Sequence, residues 1–162
     1  MTARPPSDAI VALRSFPRRF RALFLGLGED ESPDALAIRP APDGATALGH
    51  VVAATDALAT ASRGLSQILV TDDPLVDAMP QGSATPTAPT GSVDERVSEL
   101  SWEADALADR LDGVTADDWA RTGHAPDGAT VSALALLWQA VDAAAERLRA
   151  AERTLREARQ AR

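Results

Sequence analysis

The sequence predicts an all-α protein, an antiparallel four-helix bundle, and three observations favour this fold. Apolar residues recur at intervals of three and four along four long segments. Alanine, the strongest helix former, accounts for 34 of the 162 residues. The sequence Ala-Pro-Asp-Gly-Ala-Thr occurs at residues 41–46 and again at 125–130, each time before a predicted helix. Two helix-turn-helix halves joined by a linker make a four-helix bundle the natural architecture.

The first half of the chain contains two predicted helices. Residues 7–27 carry seven apolar residues on one face, and Pro17 inside this segment predicts a kink or a short break. Residues 26–44 are rich in Gly, Pro, Asp and Glu, which predicts an irregular connection. Thr46 then caps a second helix that extends to about Leu69, and Asp72-Asp73-Pro74 ends it.

The second half begins with a Pro/Thr-rich segment at residues 79–92, which has three prolines, two glycines and no charge. This composition predicts an internal linker between helices 2 and 3 of a single domain spanning residues 1–162. Its length exceeds what an antiparallel hairpin needs, so we expect it to cross an end of the bundle and to set a non-sequential helix order. The third helix is predicted at residues 93–111 with Ser92 as N-cap, and the fourth from Thr130 almost to residue 162.

Composition and charge exclude several classes of function. The absence of cysteine excludes disulfides, thiolate nucleophiles and sulfur-ligated zinc, and leaves His50 and His124 as the two imidazoles. The net charge of −8 argues against a nucleic-acid binder. No apolar run is long enough to span a bilayer, and the first six residues lack the pattern of a signal peptide, so we expect a cytoplasmic protein with no membrane partner.

A few polar residues could form a site inside the bundle. Asp142 and Glu146 are four residues apart, which places both carboxylates on one helix face, and Trp138 lies one turn earlier. His50 lies among Ala, Val and Leu on the second helix. Two interpretations of His50 remain open: a hydrogen-bonded structural histidine, or a ligand that holds a divalent metal together with Asp142 and Glu146. No catalytic residue is identified.

The residues around the repeated turn also resemble a known family. Residues 36–50, Asp56 and residues 68–74 are similar to the first half of DinB-like proteins, and residues 111–123 with the helix after Thr130 to the second half. That family is related to the N-terminal domain of mycothiol-dependent maleylpyruvate isomerase. The resemblance implies a four-helix bundle. It also implies a divalent metal held by one histidine of the second helix and an H-x-x-x-H pair of the last helix, which some members use with small bacterial thiols.

This chain departs from the family pattern at the ligand positions. When Asp56 is matched to the aspartate of the family's H-x-x-D motif, the first ligand position falls on Ala53, one turn after His50. The H-x-x-x-H pair then falls on Asp142 and Glu146. Alanine cannot ligate, and carboxylates in place of imidazoles favour harder, more weakly held ions. The resemblance therefore implies a divergent member without the usual metal-binding histidines, with His50, Asp56 and Trp138 as candidates to line a pocket.

Two functions are compatible with these residues. The first is a small-molecule-binding or interaction module that has lost the metal site, an interpretation that weighs against an enzyme. The second is a thiol-dependent transferase or isomerase, using a thiol such as mycothiol, whose divalent metal is held by His50, Asp142 and Glu146. An apolar patch on the first or third helix could also support a homodimer. No cofactor is predicted with the first function.

Overall fold

The computed structural model describes residues 4–25, 27, 31–80 and 89–161. Along the chain, the elements are α1 (Pro6–Leu25), α2 (Pro33–Ala37), α3 (Ala47–Val70), α4 (Val93–Leu111), α5 (Ala116–Trp119), β1 (Thr122–His124), β2 (Thr130–Ser132) and α6 (Ala133–Gln160). The four long helices, α1, α3, α4 and α6, form the predicted bundle. No helix among these residues has both the length and the hydrophobicity needed to cross a membrane.

The order of the long helices around the bundle is not their order along the chain. Helix α1 packs against α4 and α6, and α3 packs against the same two helices. The order around the bundle is therefore α1–α4–α3–α6, which confirms the predicted non-sequential arrangement. The prediction that the 79–92 linker produces this order is wrong, because α3 and α4, which that linker joins, are adjacent.

Side-chain contacts fix the directions of the helices. Arg21, near the end of α1, lies 3.9 Å from Asp94 in the first turn of α4, so these helices are antiparallel. His50, in the first turn of α3, contacts Thr154 in the second half of α6, so this pair is also antiparallel. In contrast, Arg110 at the end of α4 donates a hydrogen bond to Ser66 in the last third of α3. Helices α3 and α4 therefore run in the same direction.

A long linker is what two consecutive parallel helices require. Helix α3 ends at Val70 and α4 starts at Val93, whose backbone N–H donates to Asp34 of α2 at 2.7 Å. Because α3 and α4 run in the same direction, the end of α3 and the start of α4 lie at opposite ends of the bundle. Within the predicted linker, residues 81–88 lie outside the described part of the chain.

Polar caps and an apolar core define the helices. Thr46 accepts a hydrogen bond from the Gly49 backbone N–H, Ser92 forms a capping box with Glu95, and Ser132 caps α6. Each cap satisfies a backbone donor that the first turn leaves unpaired. The largest fully buried side chains are contributed by all four long helices and by α2: Leu13, Phe16, Phe20, Leu36, Leu48, Leu58, Leu65, Ile68, Leu100, Leu107, Leu111 and Leu136.

Three local features differ from the sequence prediction. Helix α1 continues without a break through Pro17, whose ring is buried. The segment predicted to be irregular contains α2, with Pro33 at its first turn, where a missing N–H costs nothing. The last helix starts at Ala133 rather than Thr130, because residues 130–132 form a strand.

That strand belongs to a short hairpin at the end of the bundle where α3 terminates. Strands β1 and β2 pair antiparallel, with His124 opposite Thr130. The segment after α3 packs on the hairpin: the Val76 N–H donates to the His124 carbonyl, and the His124 N–H donates to the Pro74 carbonyl. A Cβ on Gly123 would lie 2.7 Å from the Pro74 oxygen, so the close approach requires glycine.

Candidate functional site

The most polar part of the bundle interior lies between the first turn of α3 and the second half of α6. The His50 side chain points from α3 toward α6 and is 6% exposed. On α6, Arg147 and Thr154 are seven residues apart and therefore lie on the same helix face, two turns from each other. Each of them is 5% exposed. We call these three residues the His50 cluster.

Hydrogen bonds within the His50 cluster define the state of the imidazole. The Arg147 Nη1 atom lies 3.5 Å from His50 Nδ1, and the Thr154 hydroxyl lies 3.3 Å from His50 Nε2. Arginine can only donate, so Nδ1 must be the accepting nitrogen. The proton of the neutral ring is then on Nε2 and is donated to the oxygen of Thr154. Both ring nitrogens are thus engaged within the protein.

Electrostatics keep His50 in this neutral form. Its pKa is lowered from 6.5 to about 4, mainly because burial penalises the charged imidazolium and secondly because Arg147 repels it. Arg153 lowers the pKa further, whereas Asp43 opposes the shift. At neutral pH the ring is therefore an acceptor for Arg147.

Arg147 itself is a buried cation with few partners. Within the described part of the chain, its one side-chain hydrogen bond is the 3.5 Å contact with His50, and its Nε atom is buried without any hydrogen bond. No carboxylate of the described residues lies within ion-pair distance of it. Sequence reasoning did not identify Arg147 or Thr154 as site residues.

Trp138 and Asp142 belong to a separate group on the surface. The Arg4 guanidinium donates two hydrogen bonds to the Asp142 carboxylate, each 2.9 Å long, and lies 3.4 Å above the Trp138 ring centroid. The Trp138 indole N–H donates to the Arg4 carbonyl at 3.2 Å. The Asp142 side chain is 58% exposed. These residues fasten the start of the chain to α6.

The structure does not bring the predicted metal ligands together. Asp142 and Glu146 do share a helix face, but it is the exposed one, because the opposite face, with Ala144 and Leu148, packs into the core. His50 points into that core. Among the described residues, no group of three or more His, Asp or Glu side chains is arranged to hold a metal ion.

The other two predicted positions lie on α3. Ala53, at the first family ligand position, is half-buried, and Asp56 is exposed. Asp56 therefore does not line an interior pocket together with His50. A ligand set of His50, Asp142 and Glu146 does not fit this arrangement, because one side chain is buried and hydrogen-bonded while the other two face solvent.

The surface of the described residues includes concave regions, two of which border α1. A groove of about 500 Å³ between α1 and α4 is lined by Arg21, Trp102, Asp105 and Asp109, together with small residues of α4. A second region of about 370 Å³ lies between the ends of α1 and α6 and is lined by Leu23, Leu155 and Arg156 among others. Both volumes fall in the range of small-molecule sites.

Comparisons with known proteins place the fold. The solved structure of YfiT from Bacillus subtilis, described as "a probable metal-dependent hydrolase with an unusual four-helix bundle topology", matches with a TM-score of 0.74 and 14% sequence identity. The match covers 96% of this chain and 87% of YfiT, and at this identity it concerns the fold alone. Comparison with curated proteins found no match. The family model of the DinB superfamily matches residues 12–151, so this chain belongs to the DinB superfamily.

Proposed function

We propose that this protein is a small-molecule-binding or interaction module that uses the DinB bundle without a metal. The observation that carries the proposal is the engagement of both His50 ring nitrogens, by Arg147 and by Thr154. A metal ligand needs a free nitrogen lone pair. The lone pair of neutral His50 is on Nδ1, where a permanent cation, Arg147, faces it. A divalent ion at that nitrogen would be repelled by the guanidinium.

The state of Asp142 supports the same proposal. Its two carboxylate oxygens each accept a hydrogen bond from Arg4, so its charge is already balanced by a cation. Arginine–carboxylate pairs of this two-pronged geometry are among the stronger ion pairs. Metal binding at Asp142 would have to displace Arg4 from both the carboxylate and the Trp138 ring.

Direct metal titration tests the proposal. Purified protein is titrated with Zn²⁺, Ni²⁺ and Mn²⁺ by calorimetry, and its metal content is measured by elemental analysis. We expect no stoichiometric binding of any of the three ions. The control variants are His50→Ala and His124→Ala, since His124 lies on the hairpin and bonds to Asp73 instead. Stoichiometric binding that is lost in His50→Ala but kept in His124→Ala would disprove the metal-free proposal.

A second candidate function is a metal-dependent transferase or isomerase that uses a small bacterial thiol such as mycothiol. The description of YfiT as a probable metal-dependent hydrolase favours metal chemistry on this fold. In this chain, that function requires His50 to turn away from Arg147 and Asp142 to release Arg4. The same titration decides between the two candidates, because this one requires a tightly bound ion.

A further inference from the structure

The Arg147 guanidinium is a permanent charge in the interior of the bundle. Arginine does not lose its proton in proteins, so burial cannot be relieved by a change of charge state. Buried charges are ordinarily paired, and the residue exposes 5% of its surface. In the described structure, however, it faces a neutral imidazole rather than a carboxylate. The group that would balance Arg147 is not supplied by these residues.

The free part of the guanidinium has a definite shape. Nη1 is directed at His50. On the edge of the planar guanidinium that faces away from Nη1, the Nε–H bond and one Nη2–H bond are parallel and form a two-donor edge. Nε has no hydrogen-bond partner, and no hydrogen bond joins Nη2 to any of the described residues. This edge is the one that pairs with carboxylate or phosphate oxygens through two parallel hydrogen bonds.

The rest of the His50 cluster offers Arg147 no free acceptor among the described residues. The accepting nitrogen of His50 is used by Arg147, and its Nε2–H is donated to Thr154. The Thr154 hydroxyl still has its own proton to donate. Arg153 adds positive charge to the surroundings of His50, and among the described residues Asp43 is the carboxylate whose charge opposes it. Among the described residues, the donors of this cluster therefore outnumber its acceptors, and the group that would complete it is an anionic acceptor.

We propose that the Nε–Nη2 edge of Arg147 binds a carboxylate or phosphate group of a small-molecule ligand. This inference rests on the proposed ligand-binding function and names the chemical class of the ligand. His50 has a positioning role, since it holds Nη1 and thereby orients the free edge.

Anion-dependent thermal stability tests this site. The melting temperature is measured with increasing sodium acetate or inorganic phosphate at a constant ionic strength maintained with sodium chloride. A ligand that binds only the folded protein raises Tm in a saturable way, and we expect a rise of at least ~2 °C for one of the two anions. Acetate represents a carboxylate ligand and phosphate a phosphorylated ligand. The comparison therefore identifies which of the two anionic groups the site binds.

Two variants make the test specific. Arg147→Met removes the guanidinium, while Arg149→Met removes an exposed one on the same helix. We expect Arg149→Met to retain the rise in Tm and Arg147→Met to lose it. Without added anion, Arg147→Met should melt at or above the temperature of the wild type, because an uncompensated buried charge has been replaced by an apolar side chain. An equal response in both variants would overturn the proposal, since it would show a general salt effect.

A measurement on the wild type covers the case in which Arg147→Met does not fold. The Nε–H resonance of Arg147, assigned in ¹⁵N-labelled protein, should shift during titration with the anion that raises Tm. Absence of both the resonance shift and the Tm rise would overturn the anion site. That result would leave the metal-free proposal intact, because it depends on the separate titration with Zn²⁺, Ni²⁺ and Mn²⁺.

Discussion

His50 makes the stability of the folded chain depend on pH. Its pKa is about 4 in the folded protein and near 6.5 in the unfolded chain. Between these values the unfolded state binds the proton and the folded state does not, so the free energy of unfolding falls as the pH falls from 6.5 to 4. We predict that His50 accounts for a loss of about 2 kcal/mol between pH 7 and pH 5.

The variant His50→Gln isolates this contribution, since glutamine can bond to Arg147 and Thr154 but does not titrate. Urea unfolding is measured at pH 7 and pH 5 for the wild type and the variant. The titration of carboxylates changes the stability of both proteins alike, so the difference between them reports His50. The wild type should lose more stability than the variant by the stated amount. Equal losses would contradict the prediction, because they would show that His50 has the same pKa in the folded and the unfolded chain.

The His50 cluster was only partly predictable from the sequence. Helical spacing leaves two interpretations of His50 open, a hydrogen-bonded structural histidine and a metal ligand. In the structure the ring is buried and hydrogen-bonded to Arg147 and Thr154. Arg147 and Thr154 were missed because α6 contains five arginines, and residue type alone does not separate a buried one from the others. A signal was present: Arg147 and Thr154 are each three or four residues from Ala151, on the core stripe.

At the scale of elements, the repeated sequence Ala-Pro-Asp-Gly-Ala-Thr forms the same turn at residues 41–46 and 125–130, but the turn is followed by a helix in the first copy and by a strand in the second. In both copies the glycine N–H bonds to the first alanine's carbonyl at 2.8 Å, and the φ angles of Gly44 and Gly128 are 84° and 85°. The first copy leads into helix α3 through Thr46. The second closes the β1–β2 hairpin, because Val131 favours a strand and Ser132 is available to cap α6 two residues later.

This equivalence yields a matched pair of substitutions. Gly44→Ala and Gly128→Ala should each destabilise the protein by about 1 kcal/mol, because alanine pays a steric cost at positive φ that its lower unfolded-state entropy only partly offsets. No atom lies within 4 Å of an added Cβ at either position, so the cost is conformational and should be the same for both. Chemical denaturation measures it.

Gly113→Ala is the control for that pair. An added Cβ at Gly113 also meets nothing within 4 Å, but its φ is not in the left-handed region. Its substitution should be neutral or slightly stabilising. Unequal costs at Gly44 and Gly128 would mean that the two turns are not energetically equivalent, and a loss at Gly113 matching theirs would rule out positive φ as the cause.

The elements themselves were mostly predictable. Helices α3 and α4 were predicted with their caps, since Thr46 and Ser92 precede clear apolar periodicity. The hairpin was not predicted, because three-residue strands provide too few residues for an alternating pattern. It depends instead on contacts between distant residues, such as the hydrogen bonds between His124 and residues 74–76.

At the scale of the whole molecule, the parallel arrangement of α3 and α4 explains the length of the linker. Sequence composition identified the segment, but the helix directions follow from contacts such as that of Arg110 with Ser66, which no local pattern encodes. Val76 packs against Gly64, 17 residues after the start of α3, which corresponds to a rise of about 26 Å. The linker must cover this distance to reach Ser92.

Shortening the linker tests the arrangement. Deletion of residues 79–90 leaves three residues between Val76 and Ser92, which span at most about 15 Å. We predict that this deletion abolishes cooperative unfolding, as followed by circular dichroism in urea, because either the hairpin contacts of Val76 or the start of α4 must be given up. Replacing residues 81–88 with eight Gly and Ser residues keeps the length and should change the free energy of unfolding by less than about 1 kcal/mol. A deletion variant that unfolds cooperatively at the wild-type midpoint would show that α3 and α4 do not run in the same direction.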